Sequence, residues 1–232
     1  MIKYFQIKNQ KGSNYKKIIF RERSNKYSKD LKETYIRKYE SLLICGMHSS
    51  GKTKELIKIY NKSKDIYKTN NYIYISSIDS LTDWFTKNLK TEDTNKYLDT
   101  FSNEDEKISI EEDIKKQHIK IQILINKTSK GILFIDDLDQ AKGKKKEVIK
   151  DLIKVSKVVI ATAKNEKEID KTISAILFRK GYNEVNLNTN MSYDATNILF
   201  VIMILTMLTM GQFELAGLIL AGKYAMKGKD KK

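Results

Sequence analysis

The chain has 232 residues, carrying 44 Lys+Arg against 29 Asp+Glu for a formal net charge of +15. This length suits one α/β domain of ordinary size with an appendage and excludes two large domains. Cys45 is the single cysteine and His48 and His118 are the only histidines, which excludes an intramolecular disulfide and a His/Cys metal cluster.

The positive charge has two readings. A net +15 suits a nucleic acid or the anionic face of a membrane. Yet only four of the cations are arginine (Arg21, Arg23, Arg37 and Arg179), proline is absent, and Lys, Ile, Asn and Tyr abound. AT-rich coding produces that profile with no anionic partner, and phosphate-reading surfaces favour the fork of donors that arginine offers.

Residues 1–40 form a basic N-terminal segment with aromatics scattered at Tyr4, Phe5, Tyr15, Phe20, Tyr27, Tyr35 and Tyr39. They predict a short strand or two and then a helix near Lys29 to Tyr39, and they lack the unbroken apolar core of a secretory signal. From residue 41 to 190 apolar runs alternate with helical spacing. The predicted strands are LLIC (Leu42 to Cys45), YIYIS (Tyr72 to Ser76), ILFID (Ile132 to Asp136), VVIAT (Val158 to Thr162) and EVNL (Glu184 to Leu187). Helical spacing covers Thr53 to Lys62, Ile78 to Leu89, Ile108 to Asn126, Lys145 to Lys154 and Glu166 to Phe178, while the polar stretch Lys90 to Lys107 reads as a surface loop. Short apolar strands between amphipathic helices indicate a parallel sheet covered on both faces, an α/β fold of three layers, α/β/α.

Two motifs carry chemistry. GMHSSGKT follows the first of these strands and runs Gly46, Met47, His48, Ser49, Ser50, Gly51, Lys52, Thr53. In a strand, glycine turn and helix, the amides of residues 47 to 53 curl around phosphates and the helix start turns its positive dipole end toward them. Gly46 and Gly51 permit backbone angles and a close approach that a side chain would block. Lys52 reaches the β- and γ-phosphates and the Thr53 hydroxyl ligates magnesium, while His48 reads as an uncharged filler. The second motif, GILFIDDLD, is a buried strand that delivers carboxylates at its C-terminal end, where ligands sit in open α/β sheets. Asp136 would hold magnesium and Asp137 would orient or deprotonate the attacking water.

These motifs resemble the Walker A and Walker B motifs of P-loop NTPases, in the branch that contains the AAA+ and related signal-transducing ATPases. The resemblance covers roughly Ser41 to Leu187. It implies a five-stranded parallel sheet of order 5-1-4-3-2 with VVIAT central, bound ATP and Mg2+, and a polar sensor of the γ-phosphate at Thr162, with Asn165 as second choice. It also implies an arginine that reaches a neighbouring subunit's nucleotide in a homo-oligomer, which falls on Arg179. The sequence departs from the family where Asp137 replaces the usual glutamate, a form linked to slow turnover, and in having no room for a helical lid.

The C-terminal part, residues 191–232, contains Ile198 to Gly222, 25 residues with one charge, Glu214. That is long enough for a membrane helix, which needs about 20 apolar residues. A single span exports the lysine-rich end KYAMKGKDKK against the preference for cytoplasmic positive loops. A hairpin broken at GQFE, Gly211 to Glu214, keeps both ends on one side, and packing in an oligomer is the soluble alternative. The basic stretch Gln140 to Lys150 is either a nucleic-acid surface or a solvated helix face.

These features together predict a Mg-dependent ATPase of AAA+-like type, a cytoplasmic domain anchored to a membrane, acting on DNA or in phage or mobile-element assembly. The layout is loosely similar to the zonula occludens toxin-like phage assembly ATPases. The rival readings are a slow or non-hydrolysing nucleotide-gated switch or DNA tether, and a kinase of a small phosphate acceptor.

Overall fold

Short apolar and aromatic clusters around Phe5 and at Ile18 to Phe20 give the first forty positions the material for strands. A computed structural model describes residues 2–9, 16–23, 31–100, 116–188 and 195–212, and in it β1 (Ile2–Asn9), β2 (Lys16–Arg23) and β3 (Leu31–Ile36) form an antiparallel sheet in the order β1-β2-β3. The helix expected near Lys29 to Tyr39 is therefore replaced, over its described part, by a strand whose Ile36 pairs with Ile18. Tertiary pairing decides here, because burial of Ile36 beside Ile18 and Phe20 outweighs the weak local preference of a polar segment.

The second sheet is parallel throughout. It contains β4 (Ser41–Cys45), β5 (Tyr72–Ser76), β6 (Ile132–Asp136), β7 (Val158–Ala163) and β8 (Tyr182–Asn186), in the order β5-β6-β7-β4-β8. Counted from the other edge, this runs fifth, first, fourth, third, second in that sheet's own chain order. Its register sets Ile44 against Thr162 and Ile135 against Ala161, so the C-terminal ends of β4, β7 and β6 lie side by side.

The helices of this unit are α1 (Lys52–Asn61), α2 (Ser63–Tyr67), α3 (Leu81–Asn88), α4 (Thr91–Leu98), α5 (Gln117–Thr128), α6 (Gly143–Val155) and α7 (Lys171–Lys180). Two corrections follow. The expected loop from Lys90 begins instead as α4, whose Asp93 accepts the Lys90 amide at 2.8 Å and the Lys127 ammonium at 2.5 Å; residues 101–107 lie outside the described residues. The segment from Glu166 makes only a 3-10 turn (Glu166–Glu168) before Asp170 caps α7 by accepting the Thr172 amide at 2.9 Å.

The central sheet buries both faces. Leu43, Ile73, Ile75, Leu133, Ile135 and Val159 pack with Trp84, Leu124, Ile149, Leu152 and Ile173 from α3, α5, α6 and α7. On the other face, Leu42, Ile44, Phe134 and Ile160 meet Leu56 and Ile59 of α1, Ile66 of α2, and Phe5, Ile18, Phe20 and Ile36 of the small sheet. Thus the outer layer on that side is part helix and part antiparallel sheet. Two residues of α1 lock it there: Glu55 accepts the Phe5 amide at 3.0 Å, and the Lys58 ammonium donates to the Phe5 carbonyl.

Residues from Met191 form a separate unit. It contains α8 (Ala195–Thr209), ATNILFVIMILTMLT. The helix stops where the Gln212 amide donates to Met207 O at 3.0 Å and the Gly211 amide to Leu208 O at 3.2 Å, with Gly211 at φ 74. This is a Schellman ending, and glycine takes its left-handed position at no steric cost. One unbroken helix over 198–222 is therefore not formed, and residues 213–222 lie outside the described residues. No helix among the described residues is long and apolar enough to cross a membrane.

Phe5 is fully buried, 5.2 Å from the Phe20 ring. Phe5→Ala is expected to cost about 3–5 kcal/mol, seen in a urea melt followed by far-UV circular dichroism. A loss below about 1 kcal/mol would show that the small sheet does not share the main core.

Candidate functional site

The five residues of β4 are all buried, and the chain leaves the strand at Gly46 into a turn held from both sides. The Gly46 amide donates to Ala163 O at 3.1 Å and to Lys164 O at 3.2 Å, and the Met47 amide to the Asn188 carboxamide oxygen at 2.6 Å. A methyl group on Gly46 would fall 2.4 Å from Ser50 Oγ and 3.1 Å from Ser50 Cβ, so a larger residue there would push the buried serine hydroxyl out of its place. Ser49 and Gly51 adopt left-handed backbone, with φ 62 and 87, which coils the loop back on itself ahead of α1. The hydroxyl of Ser50 is buried inside this coil with no partner.

Lys52 opens α1 and is 9% exposed, an unusual place for a cation. Its ammonium donates to Gly46 O at 2.7 Å and Met47 O at 3.2 Å and so lies across the loop it follows. Met47, His48, Ser49 and Thr53 face solvent.

Asp136 ends β6 at 5% exposure and is held by three hydroxyls. Thr162 donates to its Oδ1 at 2.6 Å, Thr53 to the same oxygen at 3.1 Å, and Tyr74 to Oδ2 at 3.3 Å. Thr162 is fully buried, and its oxygen also accepts the Asp137 amide at 2.8 Å. Asp137 stands in left-handed backbone, φ 51 and ψ 52, which aspartate tolerates better than most residues. Burial pushes its carboxyl above the ordinary carboxylate range, the neighbouring Asp136 adds to this, and Lys52 draws it back. Burial, with Asp136 beside it, also raises the Tyr74 phenol, so Tyr74 remains a donor at neutral pH. Cys45 is a free, buried thiol pushed up to about 12 by burial and then by Glu184.

The expected residues fall into two groups. The loop, Lys52, Thr53, Asp136, Asp137 and Thr162 converge at the C-terminal ends of β4, β6 and β7. Asn165 is exposed, its side chain accepting the Lys167 amide at 3.1 Å. Arg179 is exposed in the last turn of α7, beside the start of β8, where Tyr182 pairs with Ser41. Within one chain it therefore sits at the opposite end of the sheet from the loop.

Sequence reasoning missed Tyr74 and Asn188. The signal for Tyr74 was its place in YIYIS: Tyr74 pairs with Phe134, two positions before Asp136. Asn188 carries no such signal, since its position beside Met47 depends on β8 lying next to β4.

The residues fit magnesium and a polyphosphate on three observations: a coil bounded by two glycines, a buried cation at a helix start, and a hydroxyl at the head of α1 facing a carboxylate at the end of β6. No protein-family model matches the chain, and no curated protein does. Among solved structures the chain is similar to domain III of the replication initiation protein DnaA from Thermotoga maritima. The identity is 20%, the TM-score 0.37, and the match covers 65% of this chain and 55% of that one. It is also similar to Drosophila ORC bound to GC-rich DNA and Cdc6, at 10% identity and a TM-score of 0.40, over 81% of this chain and 71% of that one. The chain thus spans little more than half the length of the DnaA structure, and likenesses this loose carry no argument about activity. Neither structure supports a membrane segment or the zonula occludens toxin-like layout.

Replacing Thr162 by valine keeps the shape but leaves the Asp137 amide and one oxygen of Asp136 short of a partner. The expected loss is about 1–3 kcal/mol, measured by urea denaturation, with Thr162→Ser restoring most of it.

Proposed function

We propose that the chain is a Mg-dependent P-loop ATPase of AAA+-like type. One observation carries the reading: the Thr53 hydroxyl, at the head of the helix that follows the glycine coil, lies 3.1 Å from a carboxylate 83 residues away in sequence. A plain strand-to-helix turn has no use for an acidic strand end opposite it. Magnesium favours few protein ligands and keeps its waters, which suits a pair as sparse as Thr53 and Asp136.

Lys52 and the amides of residues 47–53 bind the phosphates, and Thr53 and Asp136 hold the metal. The metal, when bound, neutralises charge on the phosphate oxygens. Tyr74 and Thr162 fix the Asp136 carboxylate, and Thr162 acts on the phosphate site through Asp136 and Asp137. Asp137 takes the proton from the attacking water, with burial raising its basicity toward working pH. Arg179, exposed at the outer end of α7, is available to a second copy of the chain in a homo-oligomer. The slow-switch alternative rests on Asp137, whose carboxylate hangs one methylene shorter than a glutamate would.

The apolar tail adds an attachment to a membrane's cytoplasmic face, as a hairpin that turns at Gly211. Support comes from the helix stop there and from the exposure of Ile202, Leu205 and Leu208. The hairpin also leaves the lysine-rich end on the side that positive residues prefer.

Two experiments test these proposals. Lys52→Ala is expected to lose Mg-ATP binding in isothermal titration, whereas Asp137→Asn should bind ATP and turn over about 100-fold or more slowly in a single-turnover assay. Equal rates for wild type and Asp137→Asn would remove the hydrolase reading. For the tail, a chain ending at Asn197 is expected to stay in the supernatant of a membrane pelleting assay that retains the full chain. Equal partition of the two would end the membrane proposal.

A further inference from the structure

Away from the phosphate loop, the small sheet carries a groove of about 520 Å3 lined by Lys16, Lys17, Tyr35, Arg37, Lys38 and Tyr39. Two of its aromatic rings are held out to solvent, Tyr35 at 60% exposure and Tyr39 at 55%. Exposed tyrosines on a soluble face are individually ordinary, but these two share one concave surface with a row of cations. Lys17 Nζ lies 5.9 Å from the Tyr35 ring centre, and Lys38 and Lys157 lie 5.0 and 4.0 Å from that of Tyr39.

The nearby carboxylates are already engaged. Asp65 accepts from Lys16, Glu33 from Arg21 and from the Tyr35 hydroxyl, and Glu40 from the Asn183 carboxamide at 2.7 Å with Arg37 at 3.9 Å. Among the described residues no ion pair engages Lys17 or Lys157, and there the groove keeps a positive surplus. Tyr39 precedes the start of β4 at Ser41, whereas the phosphate loop follows its other end at Cys45.

We propose that this groove binds single-stranded nucleic acid, with bases stacked on Tyr35 and Tyr39 and phosphates met by Lys17 and Lys157. Aromatic platforms interleaved with cations hold unpaired bases without regard to sequence, because every base offers a π-face. A duplex hides those faces and leaves the two rings without a role. An exposed lysine holds an aromatic face more weakly than a stacked base does. An incoming base therefore displaces Lys17 or Lys157 from the ring toward the adjacent phosphate. The bond from Tyr35 to Glu33 sets that ring before binding.

The test uses the full chain and labelled oligothymidine and oligouridine of about 30 nucleotides, read by fluorescence anisotropy between about 50 and about 200 mM salt. Expected are binding that weakens with salt, an affinity lower by about tenfold or more in Tyr35→Ala/Tyr39→Ala, and retention within about twofold in Tyr35→Phe/Tyr39→Phe. Lys17→Glu/Lys157→Glu should bind more weakly and with a shallower salt slope. Both tyrosines are exposed, so the alanine pair should keep its melting temperature. Three results would overturn the proposal: equal affinity in wild type and the alanine pair, stronger binding of duplex than of single strands, or binding to anionic vesicles with none to oligonucleotides. The inference does not rest on the nucleotide site. Lys52→Ala is expected to keep its oligonucleotide affinity, and losing it would assign the binding to the phosphate loop and end the proposal.

Discussion

A single buried carboxylate organises the centre of this protein. Asp136, almost without solvent, receives hydroxyls from three elements: Thr53 at the head of α1, Thr162 in β7 and Tyr74 in β5. A carboxylate removed from water is costly unless its lone pairs are met. Meeting them with groups from separate elements ties the loop, the strand ends and the edge strand to one point. Asp137 depends on it as well, since the hydroxyl that braces Asp136 also receives the Asp137 amide and helps hold its left-handed backbone. The hydroxyls and the carboxylate are thus oriented in advance of any ligand, as the proposed function requires.

The small antiparallel sheet gives that centre its support on one side. α1 carries Lys52 on its first residue and, over the next two turns, the Glu55 and Lys58 pair that takes both backbone groups of Phe5. Burial of Phe5, Ile18, Phe20 and Ile36 against Leu56 and Ile59 means that the helix orienting the loop is itself oriented by the first forty residues. Those residues thus belong to the same packed core as the motif-bearing sheet. The edge strand β5 is closed in a related way: Asn88 donates to Tyr74 O at 2.9 Å and accepts the Tyr74 amide at 3.3 Å, so the tyrosine that reaches Asp136 is fixed along its backbone too.

The charge of the chain is unevenly used. Several lysines serve structure: Lys127 bridges α5 to Asp93 and to Asn88 O, and Lys146 reaches the capping Asp170 at 3.1 Å. Lys144 in the basic stretch after Asp137 donates to Gln117 at 2.6 Å, and Lys145 to the carbonyls of Ser77 and Asp79. That stretch, the strongest basic run in the sequence, is thereby spent largely on internal contacts. The surplus that remains around Tyr35 and Tyr39 comes from residues distant in sequence, among them Lys17 and Lys157.

The sequence by itself determined the parallel strands, the glycine coil, the lysine at the helix head and the acidic strand end, because each is a local pattern with one physical use. Near-continuous apolar runs have nowhere to go but between two covering layers, and glycine before a helix start reads directly as backbone freedom. It did not determine β3, α4 or the end of α8. In those polar or uniformly apolar stretches local preference is weak, and the outcome depends on a partner strand for β3, on Lys127 for α4, and on which of several glycines closes the helix for α8. Nor did it deliver Tyr74 and Asn188, whose roles depend on the register of β5 against β6 and on the turn that β8 makes beyond β4. Which side chains meet across 83 residues is a property of strand register and side-chain direction, and only the tertiary structure fixes those.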